Sequence, residues 1–292
     1  MMKVKSFLKD KIFPINSNHY AKSIYMNLLL NNAFSRCAVS ATTRNINPLK
    51  PETWEFSGFS QNGEDGIIEY LLSCLSDPNK YFIEIGSGNG LENNTSYLAH
   101  VKRYTGLQIE GNADSHEDAL IIKPFLVESL NLFVEENTVE QIYEKTLYKN
   151  PDVFSIDIDG MDYYITKLLL EKGLRPKIIV VEYNSAFGHE RSITIPSDAS
   201  FSMFKTAHPY LYYGVSINGW RNFFTKYNYQ FITVESNGVN AFFINPAEFR
   251  ENVLNKIHST EFKENTHQTR LFRKDFEGQF EMIKNLPLVN IE

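Results

Sequence analysis

Cysteine is nearly absent. Cys37 and Cys74 are the only two in 292 residues, and no CxxC occurs. Two thiols cannot make a disulfide framework, so the expected compartment is a reducing one, the cytoplasm. A surplus of positive charge is also lacking. Lys and Arg number 29 against 35 Asp and Glu, a net charge of −6. No basic stripe is visible, which argues against a nucleic-acid partner. No apolar run approaches the roughly 18 residues of an integral membrane segment, and the candidate at Ile24–Leu30 is interrupted by Asn27. A clean signal peptide is missing as well. Lys3, Lys5, Lys9 and Lys11 interleave with Val4, Phe7, Leu8, Ile12 and Phe13, without the apolar stretch and small-residue cleavage site that secretion requires. That segment reads as a helix packed on the body or a frayed arm, or else as a membrane-surface or partner-binding helix.

What is present is ordinary globular composition, 42% hydrophobic and 22% charged. This excludes collagen-like, coiled-coil and wholly disordered chains. The length allows one large domain or two modest ones, with a core that needs no staples. Residues 1–55 read as a helical appendage, two short helical patterns broken by Pro14 with Asn16–Asn18 and again by Thr42–Pro51. From residue 56 strand and helix patterns alternate. Apolar strands are predicted at Tyr81–Ile85, Tyr104–Ile109, Phe125–Phe133, Val153–Ile158 and Lys177–Tyr183, with helical spacing between them. Asn62 and Asp65 loosely resemble a capping box before the helix that carries Ile67, Ile68 and Leu71. Tyr229–Glu235 and Ala241–Ile244 flank Ser236-Asn237-Gly238, a hairpin signal. The expected fold is α/β: a Rossmann-like, doubly wound, mostly parallel sheet over residues 56–250, with an antiparallel C-terminal hairpin strand. Residues 251–292 read as a polar helical extension with no visible chemistry.

The first chemical site is Tyr81-Phe-Ile-Glu-Ile-Gly-Ser-Gly-Asn-Gly90, a strand running into a glycine-rich turn. Gly86, Gly88 and Gly90 let the backbone bend sharply and approach a ligand. The spacing is GxGxG, with Leu91 where the dinucleotide fingerprint GxGxxG needs its third glycine. Glu84 before the turn would repel a diphosphate and favour a cationic ligand. Glu110 closes the next strand, 20 residues past Gly90, the distance at which an acid accepts two ribose hydroxyls. Together these point to a nucleoside-type cofactor.

With Glu84-x-Gly86-x-Gly88 and Glu110, the chain resembles class I methyltransferases that use S-adenosyl-L-methionine. Phe59-Ser-Gln-Asn-Gly-Glu-Asp-Gly-Ile-Ile68, Ser155-Ile-Asp-Ile-Asp-Gly160 and Val181-Glu-Tyr-Asn184 resemble their FkbM-like branch. The resemblance covers about residues 56–245 and implies methylation of hydroxyls of sugars or natural products. It implies that Glu110 binds the ribose and that the Gly86–Gly90 turn faces the methionine portion. Gln61 would approach that portion, and the loop near Leu130 and Asn131 would border the adenine.

The second site is acidic. Asp157 and Asp159 close the fourth strand, and Glu182 and Asn184 close the fifth. In a parallel sheet these fall on the same carboxyl edge as the glycine turn. Asp157 is expected to face the cofactor and Asp159 the substrate. Asp159, Glu182 or His189, in Phe187-Gly-His-Glu190, would remove the acceptor's proton. Asp159 and Glu182, with Asn184, are also candidate hard ligands for Mg²⁺ or Mn²⁺. The alternative for Asp159 and Glu182 is a helix cap or surface ion pair; for Tyr210, Tyr212, Tyr213 and Trp220 the choice is a sugar-stacking platform or core. The function expected is O-methyl transfer to a sugar hydroxyl, free, nucleotide-linked or within a surface polysaccharide. The N-terminal helices are candidates for a homodimer contact. The rival reading takes Asp157-Ile-Asp159 as the DxD of a metal-dependent glycosyltransferase using a nucleotide sugar, which leaves Gly86–Gly90 and Glu110 unexplained.

Overall fold

The computed structural model describes residues 17–250, 254 and 256–292. The lysine-rich pattern at Lys3–Phe13 lies outside the described residues. The chain opens with α1 (Ser17–Thr43), the second of the two N-terminal helical patterns, and α2 (Glu64–Ser73). Alternation follows: β1 (Tyr81–Ile85), α3 (Ser96–His100), β2 (Thr105–Glu110), α4 (Ala113–Ile122), β3 (Val127–Asn131), α5 (Val139–Lys145), β4 (Val153–Ile156), α6 (Asp162–Glu171) and β5 (Ile178–Glu182). Then come a short β6 (Ile193–Thr194), α7 (Ile217–Thr225), β7 (Gln230–Val234), β8 (Asn240–Ile244), α8 (Thr266–Phe272), α9 (Phe276–Ile283) and β9 (Val289–Asn290).

Seven strands form one sheet in the order β3-β2-β1-β4-β5-β8-β7. The pairs among β1–β5 are parallel, and β8 inserts antiparallel between β5 and β7. This is the mostly parallel, doubly wound sheet with an antiparallel hairpin that the alternation implied. Period-2 geometry sorts its side chains onto two faces. Ile83, Ile85, Phe154, Ile156, Ile179 and Val181 pack under α6 and α7, with Ile165, Leu169 and Trp220. Phe82, Val153, Ile178 and Val180 pack on the other face with Ile67, Leu71 and Leu98, from α2 and α3. Strands buried on both sides explain why these segments read as continuous apolar runs.

Local chemistry sets the ends. The predicted hairpin turn forms because the Glu235 carboxylate accepts the amides of Asn237, Gly238, Val239 and Asn240, with Gly238 at φ +75°. The capping box at Asn62 is replaced by another arrangement. Asp65 instead takes three amides of the preceding loop, from Gly58, Phe59 and Ser60, at 2.6–3.1 Å. In return its own amide donates to Ser60 Oγ at 3.0 Å. The Asp65 carboxylate is needed to stop an inward-folded loop, so it faces backward along the chain and cannot serve the helix. Helix α1 buries Met26 and Ala33 and is tied down by Lys22–Asp118 at 2.5 Å and by Arg36 Nε donating to Gly58 O at 2.9 Å.

At the amino edge of the sheet one ion pair is fully buried. Lys177 Nζ donates to Asp152 Oδ1 at 2.9 Å, and Asp152 also accepts the amides of Asn79 and Lys80. The pair joins the starts of β1, β4 and β5. Removing one partner leaves an uncompensated buried charge, typically a loss of about 3–5 kcal/mol. Lys177→Met is therefore expected to lower the unfolding free energy read from urea titration by that amount, whereas an exposed pair such as Lys145–Glu128, changed to Lys145→Met, should move it by no more than about 1 kcal/mol.

Candidate active site

The carboxyl edge of the sheet is built from a polar row. Gln108, Glu84 and Ser155 are in register on three adjacent strands. They hold the turn that precedes α3. Glu84 accepts the Asn94 amide at 2.8 Å and the Thr95 hydroxyl at 2.5 Å, Asn94 Nδ2 donates to Ser155 Oγ at 3.0 Å, and Gln108 Nε2 donates to Thr95 Oγ1 at 3.4 Å. Glu84 thus braces the loop from within. Burial pushes its carboxyl up to about 7.

The glycine turn needs its glycines for different reasons. A Cβ on Gly86 would stand 1.8 Å from the Asp157 carbonyl oxygen, so the ends of β1 and β4 leave no room for a side chain. Gly88 faces open space at φ +57°, a conformation costly for any L side chain. Gly90, at φ +74°, faces Ala119 of α4 and belongs to helix packing. Gly88 N donates to Glu110 Oε2 at 2.7 Å and Asn112 N to Glu110 Oε1 at 2.7 Å, which fixes the acid at the mouth of the turn.

Two cavities meet there. The larger, of about 540 Å³, is lined by Gly86, Gly88, Glu110, Leu132, Phe133, Val134, Asp157, Asp159, Met161, and by Asp198, Ala199 and Phe201–Phe204 on the far wall. The smaller, of about 100 Å³, is lined by Gln61, Asn62, Glu64, Glu84, Gly86, Glu92, Asn93, Asn94, Asp157 and Asn240. Gly86 and Asp157 line both. Neither lining contains a Lys or Arg. Asn240 Nδ2 donates to Glu64 Oε1 at 2.7 Å, while its buried Oδ1 has no protein partner.

Asp157, Asp159 and Glu182 bring carboxylate oxygens within 4.8 Å of one another. Asp157 opens into the cleft but is walled by protein. Desolvation by the protein atoms crowded around it, followed by the charges of Asp159 and Asp162, holds it well above the usual carboxylate range. Burial and then Asp157 do the same to Glu182, and burial with Asp162 raises Asp159 to about 6. Asp159 sits at φ +63°, a left-handed conformation that Asp tolerates better than most residues. It does not cap α6, whose N-cap position is Met161 with no side-chain cap; Asp162 Oδ1 turns back to accept the Ile158 amide at 2.9 Å. Gly160 is required beside it, since a Cβ there would meet the Phe201 ring at 2.5 Å.

Other sequence candidates are placed elsewhere. His189 is exposed and lies between the rings of Phe262 and Phe276, outside the linings of both cavities. It follows a one-turn helix at Ser185–Phe187 that carries the chain away from the carboxyl edge. Asn131 is exposed, and its Nδ2 donates to Glu110 O at 2.9 Å, so it ties β3 to β2 while Leu132 and Phe133 face the cavity. Asn184 is not free to be a metal ligand. It is fully buried, donates to Leu211 O and Tyr213 O, and accepts from Ala186 N and Gln268 Nε2. Of the aromatic group, Trp220, Tyr212 and Tyr213 are core, and only Tyr210 is exposed.

Two contacts at this site are not legible in the sequence, where Tyr213 reads only as a stacking platform or core and Gln268 carries no signal. Tyr213 is buried and donates its hydroxyl to Glu182 Oε1 at 3.2 Å. Gln268, in the C-terminal extension, is buried against the same wall and bonds Ser185, Asn184 and the Tyr210 carbonyl. Nothing in the local pattern marks either one, because their partners are tens of residues away.

The raised Glu84 carboxyl carries a stability signature. Its folded value, about 7, lies above the ordinary 4.5, so the folded chain holds this proton more tightly than the unfolded one. That stabilisation is full below about pH 4.5, declines as pH rises, and is gone above about 7. Glu84→Gln keeps an acceptor for Asn94 and removes the ionisation. It is expected to flatten the pH dependence of the thermal midpoint across this window and to gain on the order of 1–3 kcal/mol at pH 8. Calorimetric melts at a series of pH values test it, and an unchanged slope would count against the assignment.

No family model matches the chain, and no curated protein is similar to it. The solved structures it is similar to include three from bacteria. An O-methyltransferase from Bacillus cereus in complex with SAH is 14% identical, aligned over 83% of this chain and 96% of that one, with a TM-score of 0.37. An O-methyltransferase from Streptomyces achromogenes involved in tomaymycin synthesis, in complex with SAM, is 14% identical over 72% and 93%, at 0.40. An O-methyltransferase-like protein from Klebsiella pneumoniae is 16% identical over 75% and 87%, at 0.39.

Proposed function

We propose that this chain is an S-adenosyl-L-methionine-dependent methyltransferase acting on a hydroxyl, with a sugar as the acceptor class. The carrying observation is the pair of joined cavities. One has the size and lining for an adenosine, and the other is a small chamber of hydrogen-bond acceptors. Glu110 at the mouth of the turn is placed to accept ribose hydroxyls, and Leu132, Phe133 and Met161 offer apolar walls for a purine. Glu64, Glu84, Glu92, Asp157 and the orphaned Asn240 Oδ1 surround the chamber with negative charge and no counter-cation. That donor-poor, acidic setting suits an ammonium beside a sulfonium. It disfavours a diphosphate, and so the DxD glycosyltransferase reading. When bound, S-adenosylmethionine supplies an electrophilic methyl group.

The protein's own tasks are alignment and removal of a proton. Asp159 and Glu182 stand beside the shared floor of the two cavities. Asp159, raised to about 6, is ionised at neutral pH yet still basic enough to accept a hydroxyl proton as the oxygen attacks. Tyr213 holds Glu182 in place. A positioned base of this kind is worth about 10²–10⁴ in rate. The three-carboxylate geometry also favours a second form of the same reading. Asp157, Asp159 and Glu182 would hold Mg²⁺ or Mn²⁺, which would relieve their mutual repulsion and acidify the hydroxyl. The sugar assignment rests on the FkbM-like motifs of the sequence. The two free thiols fit a cytoplasmic setting.

Titration calorimetry with S-adenosylhomocysteine is expected to show binding that Glu110→Ala weakens by about tenfold or more, the scale of a lost charged hydrogen bond. Absence of binding to the unaltered protein would overturn the reading. Asp159→Asn keeps the left-handed turn and removes the base. It is expected to retain cofactor binding while methyl transfer from radiolabelled S-adenosylmethionine to sugar acceptors drops about 10²–10⁴-fold. For the unaltered enzyme kcat/KM should climb as pH rises through about 6, because the base must lose its proton. Full activity in EDTA would eliminate the metal form and leave the carboxylate base.

A further inference from the structure

The two edges of the seven-stranded sheet are finished differently. At β7 the chain covers itself. Val234 N donates to Thr260 O at 3.0 Å, and Thr260 N donates to Thr233 Oγ1 at 3.2 Å. At the other edge, among the described residues, β3 pairs with β2 alone. Leu132 N donates to Glu110 O at 2.9 Å. Backbone groups alternate sides along a strand, so Leu130 and Glu128 also face β2, while Val127, Ser129 and Asn131 face outward. Val127 is occupied, its amide by Pro124 O and its carbonyl by Lys123 Nζ. The groups left are the amides and carbonyls of Ser129 and Asn131. An open strand edge is a template for another strand, and proteins usually block it with charge or cover it. This one is flanked by apolar side chains. Phe125, before the strand, is 97% exposed, the most of any large hydrophobic among the described residues, and Phe133, after it, is 63% exposed. Leu126 faces water as well.

We propose that β3 is the contact of a two-fold homodimer, in which it pairs antiparallel with β3 of a second copy and joins the two sheets into one. The placement of side chains about Ser129 selects this occupant. With Ser129 on the axis, its amide and carbonyl exchange bonds with those of the partner's Ser129. Asn131 N then reaches the partner's Val127 O, whose second lone pair is open beside Lys123. Phe125 and Phe133 stand four residues before and four after Ser129. Each Phe125 therefore falls opposite the partner's Phe133, a cross-strand aromatic pair. A two-fold axis requires such self-complementarity, and an unrelated peptide does not. Charge is compatible too. Glu128 comes opposite the partner's Leu130 rather than the partner's Glu128, and it is already paired with Lys145 at 2.9 Å. Phe133 also lines the larger cavity, so the partner's Phe125 backs the ring that walls it. The contact does not depend on the proposed chemistry.

The test is sedimentation velocity of the full chain over a concentration series, with amide hydrogen exchange read on the same samples. The chain is expected to sediment as a dimer, and the Ser129 and Asn131 amides to exchange more slowly as concentration rises. Phe125→Glu changes a side chain that is in water in the single chain. It should raise the dimer dissociation constant by at least about tenfold, the scale of a lost aromatic anchor, with an unchanged circular dichroism spectrum. Ser129→Pro removes the amide on the axis and should do the same, since proline is tolerated on an edge strand where the missing N–H faces outward. The double variant Ile24→Ser/Leu28→Ser, on the exposed side of α1, should leave the dimer intact. A monomer at every concentration would overturn the proposal, and slow exchange of the two amides in that monomer would assign the edge to another segment of the same chain. A dimer indifferent to Phe125→Glu, or one that Ile24→Ser/Leu28→Ser dissociates, would overturn it as well, because the contact would then lie elsewhere.

Discussion

The ends of β1 and β4 lie so close that Gly86 has no space for a single methyl group against the Asp157 carbonyl. That contact sits where the sheet reverses direction. After β1 the chain steps outward to β2 and β3, and it then crosses back to place β4 on the other side of β1. The two departing loops part above the contact and leave a crevice, as open α/β sheets do at a switch point. The glycine turn forms one wall, and the Asp157–Gly160 loop forms the floor. Widening the contact would separate the two cavities from the acids that border them.

Around this contact the protein concentrates carboxylates to a degree that folding alone does not favour. Asp157, Asp159 and Glu182 are crowded at the cleft, Asp157 exposed and the other two half-buried, and each is raised above its ordinary range. Glu84 and Asp65, buried nearby, are each raised to about 7. Buried like charges destabilise the native state unless a proton or a cation joins them. A site arranged this way favours a positively charged ligand, and binding such a ligand relieves repulsion already stored in the fold. The same arrangement raises the basicity of each of these acids.

The carboxyl edge is also where distant parts of the chain come together. Tyr213 reaches Glu182 from beyond β6, and Gln268 of the C-terminal extension locks the wall behind it. The extension is pinned in turn by β9 pairing with β6 and by Ile291, which is buried in the main core. A segment that reads as a polar tail is thus part of the structure that holds the acids in position.

Much of this was legible from sequence because it rests on local rules. Runs such as Ile178–Val181 are apolar on both faces because both faces of the sheet are covered. The turns at Gly86–Gly88 and Gly238 demand positive φ, which glycine alone adopts freely. Glu84, Glu110, Asp157 and Glu182 could be placed on one edge from sequence because strand ends on a parallel sheet share it. What the tertiary structure alone decided concerns direction and partnership. Sequence spacing could not say that Asp65 turns back to its own loop, that Asn184 is consumed by backbone carbonyls, or that His189 faces solvent between two rings. Nor could it pair Tyr213 with Glu182 or identify Gln268, whose partners lie 31 and up to 84 residues away. A side chain's residue type carries its chemistry, but its hydrogen-bond partners are set by which loops the packed sheet brings to the same edge.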